Sequence, residues 1–204
     1  MTLEVIHTCA EHFSTVESLY RKFLAEISND DTPAIANMGY DSPAGLGYIV
    51  NNQSRWTKDT GRIDLLFDNG RIVGISAVET SSLSSVFGSG GNRCWLLPKY
   101  RTKNEITKHL LTSNLQWCTK QQHIGMILTF NNYNKWIYNT IKKRSQGQAG
   151  AIGSVWSAWW NDCVPFERQL NVFHTPQWAV VKPLATKETV LDGMNNIDQE
   201  FGIA

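Results

Sequence analysis

Residues 94–130 read CWLLPKYRTKNEITKHLLTSNLQWCTKQQHIGMILTF, and the order of patterns in this stretch decides the fold. Cys94 to Leu97 is a short apolar run stopped by Pro98, which reads as a buried strand because proline cannot extend a hydrogen-bonded ladder. From Asn104 to about Gln122 the residues Ile106, Leu110, Leu111, Leu115 and Cys118 recur at helical spacing and face inward. Ile124 to Phe130 is a second apolar strand. A strand, a crossover helix and a strand imply a parallel pair, since a connection that long can return the chain to its starting edge.

Upstream, Ile63 to Phe67 and Arg71 to Thr80 read as two strands of a hairpin joined at Asp68-Asn69-Gly70, because Asn-Gly tolerates the positive φ angles of a tight turn. Ser81 to Gly91 is rich in Ser and Gly and reads as a flexible connection. Leu3 to Ile6 is a short first strand, and Phe13, Val16, Tyr20, Phe23, Leu24 and Ile27 form one face of an amphipathic helix. Ser42-Pro43 suits the start of a short second helix with Leu46, Ile49 and Val50 inward. Downstream, Asn132 to about Lys143 reads as a helix with Trp136, Ile137 and Ile141 inward, and Arg144 to Gly153 as a surface loop. Phe166–Phe173 and Gln177–Val181 are the last strands, and Val190, Leu191, Met194, Ile197 and Phe201 mark a C-terminal helix. The order is β, α, α, β-hairpin, β, α, β, α, β, β, an α/β (α+β) mixed sheet with helices on both faces.

The chain has 204 residues, 42% hydrophobic, which fits one globular domain. Its formal charge of +1 gives no reason to expect nucleic acid or a membrane surface as a partner. No apolar stretch is long enough for a membrane span, and Met1 to Ala10 lacks the pattern of a secretory signal. Cys9, Cys94, Cys118 and Cys163 are scattered, so neither a zinc site nor another metal is expected, and a reduced cytoplasmic setting is the default.

Local residues resemble the GNAT (GCN5-related) N-acetyltransferases. Leu96-Leu97-Pro98-Lys99-Tyr100-Arg101 is similar to that family's fourth strand and the start of its acyl-CoA loop, where Pro-x-Tyr-Arg is common. Asn131 and Tyr138, seven residues apart, resemble the Asn near the pantetheine and the Tyr able to protonate the departing thiolate. Gln177-Trp178-Ala179-Val180-Val181 resembles the closing strand. The resemblance implies a GNAT-like domain over residues 1–183, with 184–204 a helical tail. It also implies a mostly antiparallel sheet of about six to seven strands with a splayed central parallel pair. Acetyl-CoA or another acyl-CoA is the implied co-substrate, and a small-molecule or peptide amine the acceptor. Assembly is left open, a homodimer included.

By the same resemblance Leu96 and Leu97 offer backbone to the pantetheine, and the N–H near Leu97 polarises the thioester carbonyl. The turn Arg101, Thr102, Lys103, Asn104, Glu105 and Ile106 meets the pyrophosphate at a helix N-terminus. The family's glycines are missing from that turn, and Arg101, Lys103 and the Thr102 hydroxyl stand in as phosphate ligands. The plainer readings are a solvated turn for Arg101–Lys103, a helix cap for Asn131 and a core aromatic for Tyr138. The amine needs a general base. Glu79 and Asp64, on the hairpin strands, are the carboxylates available, each otherwise a solvent-facing strand position. His123 and His174 read as strand-end surface residues. Cys94 and Cys118 lack a patterned His partner for covalent catalysis. Trp156, Trp159 and Trp160 read as a satellite hydrophobic cluster. The missing glycines and the absence of a clear base leave a second reading open, a binding or interaction module without turnover.

Overall fold

A computed structural model describes residues 3–28, 56–101, 104–148, 159–172 and 174–203. The expected second helix from Ser42 and the side chain of Trp156 lie outside these residues. The chain divides into two compact units, Met1–Glu79 with Gly91–Trp117 and Thr80–Gly90 with Cys118–Ala204. Strand β4 (Phe87–Leu96) runs through the boundary.

In the first unit the strand order is β1 (Leu3–Thr8), β2 (Gly61–Asp68), β3 (Arg71–Thr80), β4. β1 pairs antiparallel with β2 from Leu3↔Asp68 to Thr8↔Ile63, and β2 with β3 from Gly61↔Glu79 to Asp68↔Arg71. At the hairpin Asn69 and Gly70 have φ of 53° and 74°, the left-handed pair that a two-residue turn of matching twist requires. Every residue of β3 between Ile72 and Glu79 is buried, as in a strand covered on both faces. Helix α1 (Glu17–Ser28) contributes Tyr20, Phe23 and Ile27 to a core with Ile63, Leu65, Ile75, Trp95 and Leu97. A 3-10 turn, Ala10–Thr15, precedes α1 and buries Phe13. Leu110 of helix α2 (Asn104–Lys120) joins the same core.

In the second unit the order is β4, β5 (Gly125–Phe130), β8 (Thr175–Pro183), β6 (Val164–Pro165), with β7 (Leu170–Val172) also on β8. The expected parallel pair is present: Phe87↔Gly125, Gly88↔Met126 and Ser89↔Ile127. β5 then runs antiparallel to β8 from Gly125↔Pro183 to Phe130↔Trp178. Helix α3 (Lys135–Ser145) follows β5, and helix α4 (Lys187–Phe201) buries Val190, Met194 and Ile197 against Phe87, Ile127, Leu170 and Val181. The sheet is therefore mixed and mostly antiparallel, with one parallel pair.

Several sequence expectations are corrected. β4 begins at Phe87, so the glycine-bearing end of the stretch read as a flexible connection, Phe87–Gly91, is strand. Its glycines answer a steric need: a Cβ on Gly88 would lie 2.2 Å from Cys118 Sγ, and one on Gly90 2.2 Å from Met126 Sδ. Trp136, expected inward, is 60% exposed, and Tyr138 is buried with Ile141 instead. Residues 132–134 form a 3-10 turn, so the helix expected from Asn132 starts at Lys135. Of the strand expected over Phe166–Phe173 only Leu170–Val172 forms one, β7, and a two-residue strand, β6, precedes it at Val164–Pro165.

Gly88→Ala should destabilise the protein by about 1–3 kcal/mol, since Cys118 on a packed helix cannot retreat. Gly90→Ala should cost less, because the Met126 thioether can rotate away. Urea unfolding measures both, and an unchanged midpoint for Gly88→Ala would refute the close approach.

Candidate functional site

The strand–turn–helix that was expected to meet a phosphate is present in the first unit. β4 leads into a single helical turn, Pro98–Arg101, and α2 starts at Asn104. Leu96 and Leu97 are buried. The Leu97 N–H itself donates to Val73 O at 2.9 Å, so this particular donor is engaged by the sheet. Tyr100 is buried, and its hydroxyl donates to Asp68 Oδ2 at 2.7 Å, fastening the turn to the end of β2. Sequence reading had used Tyr100 only as part of a motif. Arg101, Asn104, Glu105 and Ile106 are placed by their backbone, while Thr102 and Lys103 lie outside the described residues.

Beside this strand sits a buried polar cluster. Asp64 is fully buried, and its Oδ1 meets His7 Nδ1 and Arg62 Nε, each at 2.8 Å. Its Oδ2 accepts from Asn114 Nδ2 at 2.8 Å and from Arg62 at 3.1 Å. Asn114, also fully buried, accepts through Oδ1 from Ser76 Oγ at 2.7 Å and from the Gly91 N–H at 2.8 Å. Arg62 reaches on to the Ser113 carbonyl at 2.5 Å. A carboxylate enclosed by this many donors has no face left for an incoming amine, so Asp64 is structural and is no general base. Glu79, the other carboxylate considered, is 8% exposed at the last position of β3 in this unit.

In the second unit Asn131 accepts from Asn134 N–H at 3.0 Å and caps the 3-10 turn, the plainer of its two readings. Tyr138 is 2% exposed and its hydroxyl donates to Phe166 O at 2.5 Å. Its ring lies 4.8 Å from that of Trp178. Burial, the largest influence, raises the phenol above its ordinary pKa, which makes it a weaker acid. Asn132, absent from the sequence reading, accepts from Gln169 at 3.1 Å and from the Trp178 indole at 3.3 Å. Trp159 and Trp160 meet edge to face at 4.5 Å, and Lys182 binds Asp162 and the Trp159 carbonyl, a satellite cluster as expected. Burial pushes the Cys163 thiol up to about 12, so it is not a nucleophile. A cavity of about 600 Å3 lies between Phe166, Leu191 and Met194, with Asp162, Glu167 and Asp198 at its wall. Each of these carboxylates is already ion-paired, with Lys182, Lys142 and Arg168 respectively. Among the described residues no group of three or more His, Cys, Asp or Glu could hold a metal ion.

No protein-family model matches the sequence, and no curated protein matches it. Solved structures do match. A GNAT-family protein from Desulfovibrio desulfuricans superposes with a TM-score of 0.55 at 7% identity, over 90% of this chain and 100% of that one. Ard1 from Thermoplasma volcanium gives 0.53 at 12% identity, over 91% and 100%. A GNAT-family acetyltransferase from Staphylococcus aureus gives 0.50 at 16%, over 90% and 99%. This chain has the GNAT fold. Identities this low speak for the GNAT architecture alone, because one fold hosts many functions.

Two outcomes follow from the GNAT-fold geometry. Tyr138→Phe leaves the Phe166 carbonyl without its buried donor and should cost about 1–2 kcal/mol of stability, read as a lower urea midpoint. His123 is half-buried, and burial lowers its imidazole below the ordinary 6.5 against a smaller raising effect from the Ser85 backbone. Its contribution is therefore present above the unfolded pKa and lost as pH falls through the lower folded one. His123→Gln should flatten the fall in melting temperature between about pH 7 and pH 5. An unaltered pH profile would exclude His123 as its source.

Proposed function

We propose that the chain is an acyl-CoA-dependent N-acyltransferase, with acetyl-CoA as the preferred donor and an amine of a small molecule or peptide as acceptor. The observation that carries the reading is the parallel β4–β5 pair joined through the Pro98–Arg101 turn and α2, in a chain that superposes on GNAT-family proteins over nine-tenths of its length.

The pyrophosphate of the donor would lie at the N-terminus of α2, where backbone N–H groups and the helix dipole favour an anion. Arg101, Thr102 and Lys103 supply the charge and hydroxyl that compensate for the missing glycines, with Asn104, Glu105 and Ile106 forming the first helical turn. The pantetheine would follow the backbone at Leu96 and Leu97, with Asn131 near it by resemblance. In the reaction the amine nitrogen attacks the thioester carbon, the C–N bond forms, and the C–S bond breaks to leave CoA thiolate. Glu79 is the carboxylate assigned to remove the ammonium proton, now that Asp64 is fully coordinated. Tyr138 protonates the thiolate only if its hydroxyl leaves Phe166 O. That committed hydroxyl favours a second reading, in which the domain binds without turnover.

Acetyl-CoA at about a hundred times its dissociation constant should raise stability by roughly 2.7 kcal/mol. Arg101→Ala should weaken CoA binding by about 1.5–3 kcal/mol through loss of a charged contact, measured by calorimetry. Unchanged affinity in Arg101→Ala would move the phosphate away from this turn. An amine screen scored by release of free thiol separates turnover from binding alone.

A further inference from the structure

The Asn114 side chain binds β4 at Gly91, the described residue of that strand with a positive φ. Gly91 has a φ of 65°, inside a strand that runs from Phe87 to Leu96. A left-handed glycine within a strand is the geometry of a bulge, which bends the strand and takes an N–H out of the ladder. The Gly91 N–H donates to Asn114 Oδ1 at 2.8 Å, on helix α2. The last register pair between β4 and β5 is Ser89↔Ile127, two residues before this glycine. The paired stretch of β4 on β5 thus stops two residues before the side-chain-held glycine.

We infer that Asn114 is a positioning residue for acyl-CoA: it holds Gly91 left-handed and so sets the course of β4 from Gly91 to Leu96, the backbone that the donor follows. The inference rests on the acyltransferase reading. The orientation of Asn114 is itself over-determined. Its amide nitrogen donates to the buried Asp64 carboxylate, which fixes which end of the amide is which and aims Oδ1 at Ser76 and Gly91. Asp64 is in turn held by Arg62 and His7, so the chain of bonds runs from β1 and β2 through α2 to the β4 backbone. A buried amide that accepts two bonds and donates a third has one geometry available, and a strand bend kept by it does not drift. Asn114 touches no reacting atom in this account; it acts through the backbone it holds.

The test uses the intact chain and acetyl-CoA, with affinity from calorimetry. Asn114→Ala frees the Gly91 N–H, and Gly91→Val cannot keep the positive φ because a β-branched residue is excluded there. Both should weaken acetyl-CoA binding by about tenfold or more, while Ile27→Ala, a core truncation on α1 that also lowers stability, should bind like the wild type. If Asn114→Ala fails to fold, Gly91→Val decides. Wild-type affinity in a folded Gly91→Val protein would overturn the inference and leave the acyltransferase reading standing. Equal loss in Ile27→Ala would reduce the effect to general destabilisation and overturn it as well. Absence of acetyl-CoA binding by the wild type would remove the acyltransferase reading itself, and this inference with it.

Discussion

The ion pair between Asp64 and Arg62 is the interaction on which the first unit depends. Asp64 is completely buried, and Arg62 is 13% exposed at the side chain. An anion removed from water to this degree costs several kcal/mol unless its partners are close and numerous. Here they are: His7 from β1, Arg62 from β2 itself and Asn114 from α2 each reach the carboxylate. Removing one partner of such a pair typically costs 3–5 kcal/mol, because the charge left behind is uncompensated. Strand pairing alone could slip in register, but a carboxylate that must be met by three different elements admits one arrangement of them.

The same economy of placement appears at the turn after β4. A phosphate-binding loop built on glycine takes its shape from backbone freedom. This chain has none of those glycines between Arg101 and Thr107, and the turn is instead fastened at its start by the Leu97 N–H on Val73 and by the Tyr100 hydroxyl on Asp68. Side-chain anchoring replaces backbone pliancy, and the approach to α2 is stiffened from the β2–β3 hairpin.

Much of the fold was legible in the sequence, for local reasons. The hairpin was readable because Asn69-Gly70 fits one turn type, and the parallel pair because a helix-length crossover between apolar runs permits little else. What failed depended on contacts distant in sequence. Gly88, Gly90 and Gly91 looked like a loop because glycine weakens strands in general; the positions of Cys118 and Met126 explain the first two, and the positive φ of Gly91 the third. Trp136 looked inward by its apolar character alone, yet it is 60% exposed while Tyr138 and Ile141 of the same helix are buried. The candidate site was less legible than the fold. Asp64 was noticed as a carboxylate, yet its partners at positions 7, 62 and 114 share no local pattern. Its role is visible only once the strands are paired. Tyr138 had the right spacing from Asn131, and spacing could not reveal the carbonyl of Phe166 waiting for its hydroxyl.

The brevity of β6 bears on what can add to that edge of the sheet. An exposed strand edge is a template on which a foreign strand can add and seed aggregation. Beyond β8 the sheet ends in β6, whose two residues are Val164 and Pro165. Proline has no N–H to offer, so half of this border cannot donate to an incoming strand. The described end of the sheet at β6 is thus chemically blunt, and growth of a cross-strand polymer from it is disfavoured by the covalent structure of one residue.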